Sequence, residues 1–282
     1  MKLKSLVHDP LALLGLILIA VILAAAVLAP WLAPYDPLQV NTNHRLESPS
    51  SGYLLGTDHM GRCILSRILH GARSSLSISF LVLGMTLSLG TLVGTLAGYA
   101  GGKLDDLIVG IIDILLAFPG LILALVIAGM LGPSIAHVMI AITAVQWVGY
   151  ARIIRAMVAS GKEKEYIKAA RTGGGSHLSL VLRHILPNVL SPIIVLATLD
   201  MGATILTISG MSFLGLGAQP PQPEWGAMLN DGRPYMYRAP WIMIFPGLAI
   251  LMTVLAFNLL GDGMRDCFDP REVQKPGKQV TG

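Results

Sequence analysis

Six blocks of apolar residues, each near the ~20 that a helix needs to cross a hydrocarbon layer, punctuate the chain. They lie at 11–32, 76–99, 107–130, 135–150, 189–209 and 241–260. Polar residues gather between the blocks, so the pattern predicts an all-α, polytopic membrane bundle of six transmembrane helices in a single domain over 1–282. The first block has 22 residues and no charge, behind Lys2 and Lys4. A signal-peptide core is shorter, about 7–15 residues, so an uncleaved first span is expected. Two longer segments, 33–75 and 210–240, fall on one side of such a bundle, and the basic loop 151–188 falls on the other.

Composition supports this reading. Only 13% of the residues are charged, about half the ~25% of soluble domains. With six spans, fourteen Lys and Arg fall on the side of both termini and six on the opposite side. The positive-inside rule makes both termini and the 151–188 loop cytoplasmic. The net charge of +4 therefore reflects basic loops, and no nucleic-acid partner is expected.

Enzymatic chemistry finds no foothold. Gly101 and Gly102 before Lys103 lack the hydroxyl residue of a phosphate loop. Gly173, Gly174 and Gly175 follow a helical pattern, unlike a dinucleotide fingerprint. The seven histidines show no metal-ligand spacing, and Cys63 and Cys267 form no CxxC pair, so no metal site or cofactor is expected in this chain. Gly90, Gly94 and Gly98 recur every four residues, a stripe that lets a second helix approach closely. Two acids lie within apolar blocks. Asp113, just before Phe118 and Pro119, suits a structural partner, whereas Asp200 has no helix breaker nearby and is the better pathway candidate.

The 151–188 loop holds the most specific pattern: EYIKAAR at 165–171, TGGGS at 172–176, and HILPN at 184–188. It reads as two short helices about a glycine turn, with Pro187 ending the second. Such a compact knob suits a groove on a soluble partner.

At these residues the sequence resembles the permease subunits of binding-protein-dependent ABC importers, in the dipeptide, oligopeptide and nickel branch. Ala169, Ala170, Gly174, Ile185 and Pro187 match that family's "EAA" coupling loop, with Glu165 as its acid and Lys168 where a Glu is often found. The resemblance extends to LGTDHMGR at 55–62, MSFLGLG at 211–217, PEWG at 223–226, FPG at 245–247 and AFNLLGD at 256–262, followed by Asp269 and Pro270. Cys63 stands where an Asp is usual and Gly110 where an Arg is common.

The resemblance implies a type I ABC importer permease fold in a bacterial inner membrane. It implies pairing with a homologous second permease subunit as a heterodimer, two cytosolic ATPases that bind the ATP and Mg, and an extracytoplasmic binding protein. It makes Glu165, Lys168, Ala169, Ala170, Arg171, Gly174, Ile185 and Pro187 the ATPase-coupling residues. Asp58, Arg62, Glu224 and Trp225 become binding-protein contacts, and Asp200, Met201 and Met211 translocation-path residues. Residues 196–202 and 209–213 look more like nickel permeases, while AQPPQPEW at 218–225 is similar to dipeptide and glutathione permeases as well. Nickel or a nickel chelate is the expected cargo, with peptides the alternative. A proton-coupled secondary transporter using Asp113 and Asp200 is the reading from another class, and it leaves the loop unexplained.

Overall fold

The computed structural model describes residues 9–268, nearly all of them in or between helices, with a lone bridge of Thr57 to Cys63 in place of any strand among them. Lys2, Lys4, Arg271, Lys275 and Lys278 of the charge tally, and Asp269 and Pro270, lie outside the described residues.

Helix α1, Pro10–Val27, starts where Asp9 accepts the Leu11 N–H at 3.0 Å and Pro10 takes the first turn. Proline is tolerated there because its missing donor has no helical partner anyway. The span ends earlier than the apolar block. A break at Leu28 leads into a separate turn at Ala29–Leu32 with Pro30 at its start.

Helix α2, Ile64–Ala100, has 37 residues, a length of about 55 Å at the α-helical rise. That exceeds the hydrocarbon thickness, so its first turns stand proud of it. The segment expected as loop up to residue 75 is therefore helical from Ile64 onward, continuous with the second span. Helix α5, Ile135–Lys162, likewise carries Arg152 and Arg155 past the apolar block.

The third block is not one straight helix. It divides into α3, Gly102–Leu116, and α4, Gly120–Leu131, bent by 86°. Pro119 has no N–H to give and disfavours α geometry in the residue before it, so the helix breaks at Ala117 to Pro119.

Packing shows that this bent pair crosses the bundle. A Cβ on Gly90 would meet Tyr150 at 2.6 Å, on Gly94 the Ala151 carbonyl at 2.6 Å, and on Gly98 the Arg155 carbonyl at 2.5 Å. Both numbers rise together, so α2 and α5 run parallel, and the chain between them must return the full length. It does so along α5: Arg155 binds Asp105, Arg152 binds Asp113, and Gly120 lies over Val145. The glycine stripe thus provides the close approach its spacing predicts.

Helix α6, Glu165–Thr172, is followed by a continuous helix α7, His177–Phe213, then α8, Trp225–Gly232, and α9, Trp241–Phe268. Gly15 of α1 faces Ala256 and Leu260, and Ala12 faces Gly263, so α1 and α9 are antiparallel and both ends of the described chain share one face. One apolar cluster, including Tyr150, Ile154, Met201, Ile205 and Phe257, fills the centre. A second, with Val82, Ile142, Ile208 and Met211, fills the space between α2, α4, α5 and α7.

Candidate functional site

Three regions hold the residues singled out from sequence. The first is the knob between α5 and α7. Helix α6 is anchored by Ile167, 3% exposed, while Glu165, Lys168, Ala169 and Arg171 face outward and Ala170 is half-buried. Lys168 Nζ sits 3.5 Å from Glu165 and 3.6 Å from Glu163. These exposed pairs contribute little. The helix is closed by three glycine N–H groups: Gly173 donates to Ala169 O, Gly174 to Arg171 O and Gly175 to Ala170 O, at 3.0 to 3.1 Å. Gly174 has φ +85° with open space around it, a left-handed conformation that a Cβ disfavours.

The second half of the knob departs from expectation. Pro187 is not a stop, because Leu180–Ile185 form a π-helical turn, with the Leu186 N–H reaching Val181 O, five residues back. The wider turn makes room for the proline ring and its missing donor. α7 therefore runs unbroken from the knob into the bundle. Ile185 is 2% exposed and packs inside, so it supports the knob from beneath, whereas Pro187 is exposed.

Two hydrogen bonds absent from the sequence reading tie the knob down. Tyr99 Oη lies 2.6 Å from His177 Nδ1, and Asn188 Nδ2 donates to Tyr166 Oη at 3.3 Å. Clefts of about 460 and 360 Å³ flank α6. The first is lined by Lys162, Lys168 and Arg171 among others, and the second by Lys164, Tyr166 and Asn188.

The second region is the opposite face. Arg62 Nε donates to Asp58 Oδ2 at 2.6 Å, and Arg62 and Arg67 reach Asp231 at 3.5 and 3.8 Å. Glu224 caps α8, accepting from Gly226 and Ala227 N–H and from Ser75 Oγ at 2.8 to 3.1 Å. A carboxylate at a helix N-terminus also gains from the helix dipole. The Trp225 indole N–H bonds Ile68 O at 3.1 Å. Asp58, Arg62, Glu224 and Trp225 are all at most 3% exposed. They stitch residues 55–62 to α2 and α8, so a protein docking on this face in this conformation meets their neighbours and not these side chains. Asp231 was missed because nothing local marks it out, and only the fold brings it to Arg62.

The third region lies midway along α5 and α7. Leu196, Asp200, Ala203 and Thr204 form one stripe of α7 and, with Gln146, Gly149, Tyr150 and Ile153 of α5, line a cleft of about 250 Å³. Tyr150 donates to Asp200 Oδ2 at 2.5 Å. Met201 and Met211 do not join it. About 100° of helix rotation per residue turns Met201 away from Asp200, and both methionines are at most 1% exposed within the apolar clusters. Asp113 has the structural partner expected of it, accepting from Arg152 Nη2 at 2.7 Å. Among the described residues no three His, Cys, Asp or Glu side chains gather as a metal site.

Comparison with known proteins adds the following. Residues 90–274 match the family described as binding-protein-dependent transport system inner membrane component, and residues 2–49 the N-terminal transmembrane domain of oligopeptide transport permease C. The chain is 45% identical to a dipeptide transport system permease of Alkalihalophilus pseudofirmus, over 95% of this chain and 88% of the relative. It is 41% identical to a nickel transport system permease of Escherichia coli, over 92% and 94% respectively. A glutathione transport system permease of Pectobacterium atrosepticum is 44% identical, over 90% and 84%. The solved structure of the MetNI methionine ABC transporter in an inward-facing conformation matches with a TM-score of 0.55 at 19% identity, covering 72% of this chain and 96% of that one.

Proposed function

The chain belongs to the family of binding-protein-dependent transport system inner membrane components, and from that premise we propose that it forms half of the translocation path for small peptides, with its 165–176 knob as the seat of a cytosolic ATPase. As an ABC permease subunit it is a transport component without enzymatic activity of its own. The single observation that carries the coupling assignment is the continuity of α7: beyond the glycine turn at 173–175, a push on the exposed knob passes along one unbroken helix, His177–Phe213, to Asp200.

In this reading a second, homologous permease subunit completes the path, and two ATPases holding ATP and Mg grip the two knobs. A binding protein delivers cargo to the face carrying residues 33–63 and α8. The knob side is cytoplasmic, in agreement with the positive-inside rule. Movement is driven by the difference in docking free energy between the nucleotide states of the ATPases.

For cargo, three dipeptide or di/tripeptide permeases at 42 to 45% identity favour peptides. Nickel or a nickel chelate remains the second reading, supported by the nickel permease at 41%. Reconstituting the chain with its partner subunits and binding protein in proteoliposomes and measuring ATP-dependent uptake separates them. Dipeptide uptake without nickel uptake is the expected result. Uptake of nickel alone overturns the peptide assignment, and uptake of neither with ATP and binding protein present overturns the importer role.

A further inference from the structure

We propose that Asp200, aimed by Tyr150, is the point on the translocation wall where a positively charged group of the cargo is held during passage. The inference rests on the importer reading and is independent of which cargo the importer carries.

An ionisable side chain deep in an apolar span is costly unless it meets water, protein polar groups or a counter-charge. Asp200 stands well inside the apolar run of α7, half-exposed to the cleft. Among the described residues it forms no ion pair. Its Oδ2 accepts from Tyr150, and its Oδ1 takes no hydrogen bond from them. Tyr150 is 5% exposed, with its ring locked in the core, so its hydroxyl fixes the carboxylate without neutralising it. Charge that is oriented and left uncompensated is what a site for a passing cation requires. It is also what a purely structural acid avoids, as Asp105 and Asp113 do by pairing with Arg155 and Arg152.

The surroundings agree with this role. Gln146 and Thr204 add polar groups to the cleft, while Gly149 and Ala203 keep it open. The cleft of about 250 Å³ on this chain has room for an ammonium head or a hydrated ion beside Asp200. Two sources share this chemistry, the ammonium terminus of a peptide and a hydrated metal cation.

The test uses the complete importer, with Cys63 and Cys267 replaced by Ser and the exposed Ala203 replaced by Cys. The new thiol is reacted with a cationic and an anionic methanethiosulfonate of similar size. The cationic reagent is expected to react about tenfold faster, as one uncompensated charge nearby would produce. Asp200→Asn should bring the ratio close to one, while Asp200→Glu should keep most of it. A dipeptide with a free amine slows the reaction if the held group is an ammonium. Nickel slows it if the group is a divalent ion. Either protection must vanish in Asp200→Asn, which separates it from nickel binding to the thiol itself, and an N-acetylated dipeptide should not protect. A ratio near one before the Asp200 change, a ratio that D200N leaves unaltered, or protection by neither cargo overturns the proposal. An importer that fails these tests yet takes up cargo refutes only the role of Asp200. One that takes up nothing refutes the importer reading.

Discussion

Arg62 and Arg67 carry two guanidinium groups into the interior of the face opposite the knob, each 2% exposed and each sharing Asp58 and Asp231. Removing one partner of a buried ion pair leaves the other's charge desolvated, typically at ~3–5 kcal/mol. Arg62→Ala should therefore lower the melting midpoint of the purified complex strongly. Arg62→Lys should recover part of the loss, since an ammonium keeps the charge but not the planar fork. A midpoint unchanged in Arg62→Ala would show that the network is not formed. The glycine stripe offers a matched comparison. Gly94→Ala forces a Cβ against the Ala151 carbonyl at 2.6 Å, whereas Gly84→Ala meets nothing within 4 Å. Overpacking at the first site should cost about 1–3 kcal/mol, and the second should be neutral or slightly stabilising, because alanine is the better helix former. Equal midpoints for the two variants would contradict the close contact of α2 with α5. At this scale the sequence singled out Asp58, Arg62 and Glu224 as binding-protein contacts, and neither their burial nor their roles in an ion-pair network and a helix cap could be read from it. A charged side chain reads as exposed until the partner that compensates it, here Asp231 or Ser75, is brought in from far along the chain.

Among the elements, the knob and its turn were the most legible. The glycines between two helical runs announced a turn, and the turn is there with Gly174 at φ +85°. The course of the chain after Pro187 was not legible, because a proline at that position reads as a terminus unless the preceding turn widens. Gly174→Val places a β-branched residue in a left-handed conformation and should strain the turn by about 1–3 kcal/mol, while Ala169→Asp puts a charge on the outward face of α6. Both variants are expected to assemble in the membrane and to lose most ATP-dependent uptake, at least tenfold, with ATP hydrolysis no longer tied to cargo. Uptake at the normal rate with the ATPases still bound would sink the coupling role of the knob. The bend between α3 and α4 lies between these cases. Pro119 pointed to a break, but its angle of 86° is decided by how α4 packs on α5 through Ala124, Ala128 and Ile142.

For the molecule as a whole, the parallel run of α2 and α5 requires the bent pair to cross the bundle, giving six crossings and placing the ends of the described chain on one face. Single cysteines at Lys103 and Ser134, in a background without Cys63 and Cys267, test this directly. An impermeant thiol reagent added to intact cells should label the Ser134 position and not the Lys103 position. Labelling of both from the same side would make the pair a re-entrant loop.

The number of apolar blocks, the basic loop on the side of the termini, the glycine stripe and the knob could be read directly from the residues, because hydropathy and turn chemistry act over a few neighbours along the chain. Which way each helix face turns could not. Met201 enters the core while Asp200 opens on a cleft, and Arg62 is sealed while Arg152 is exposed. The rotation of a helix about its axis is chosen by the surfaces it packs against, and those surfaces come from residues distant in sequence. Only the assembled tertiary structure holds them in place at once.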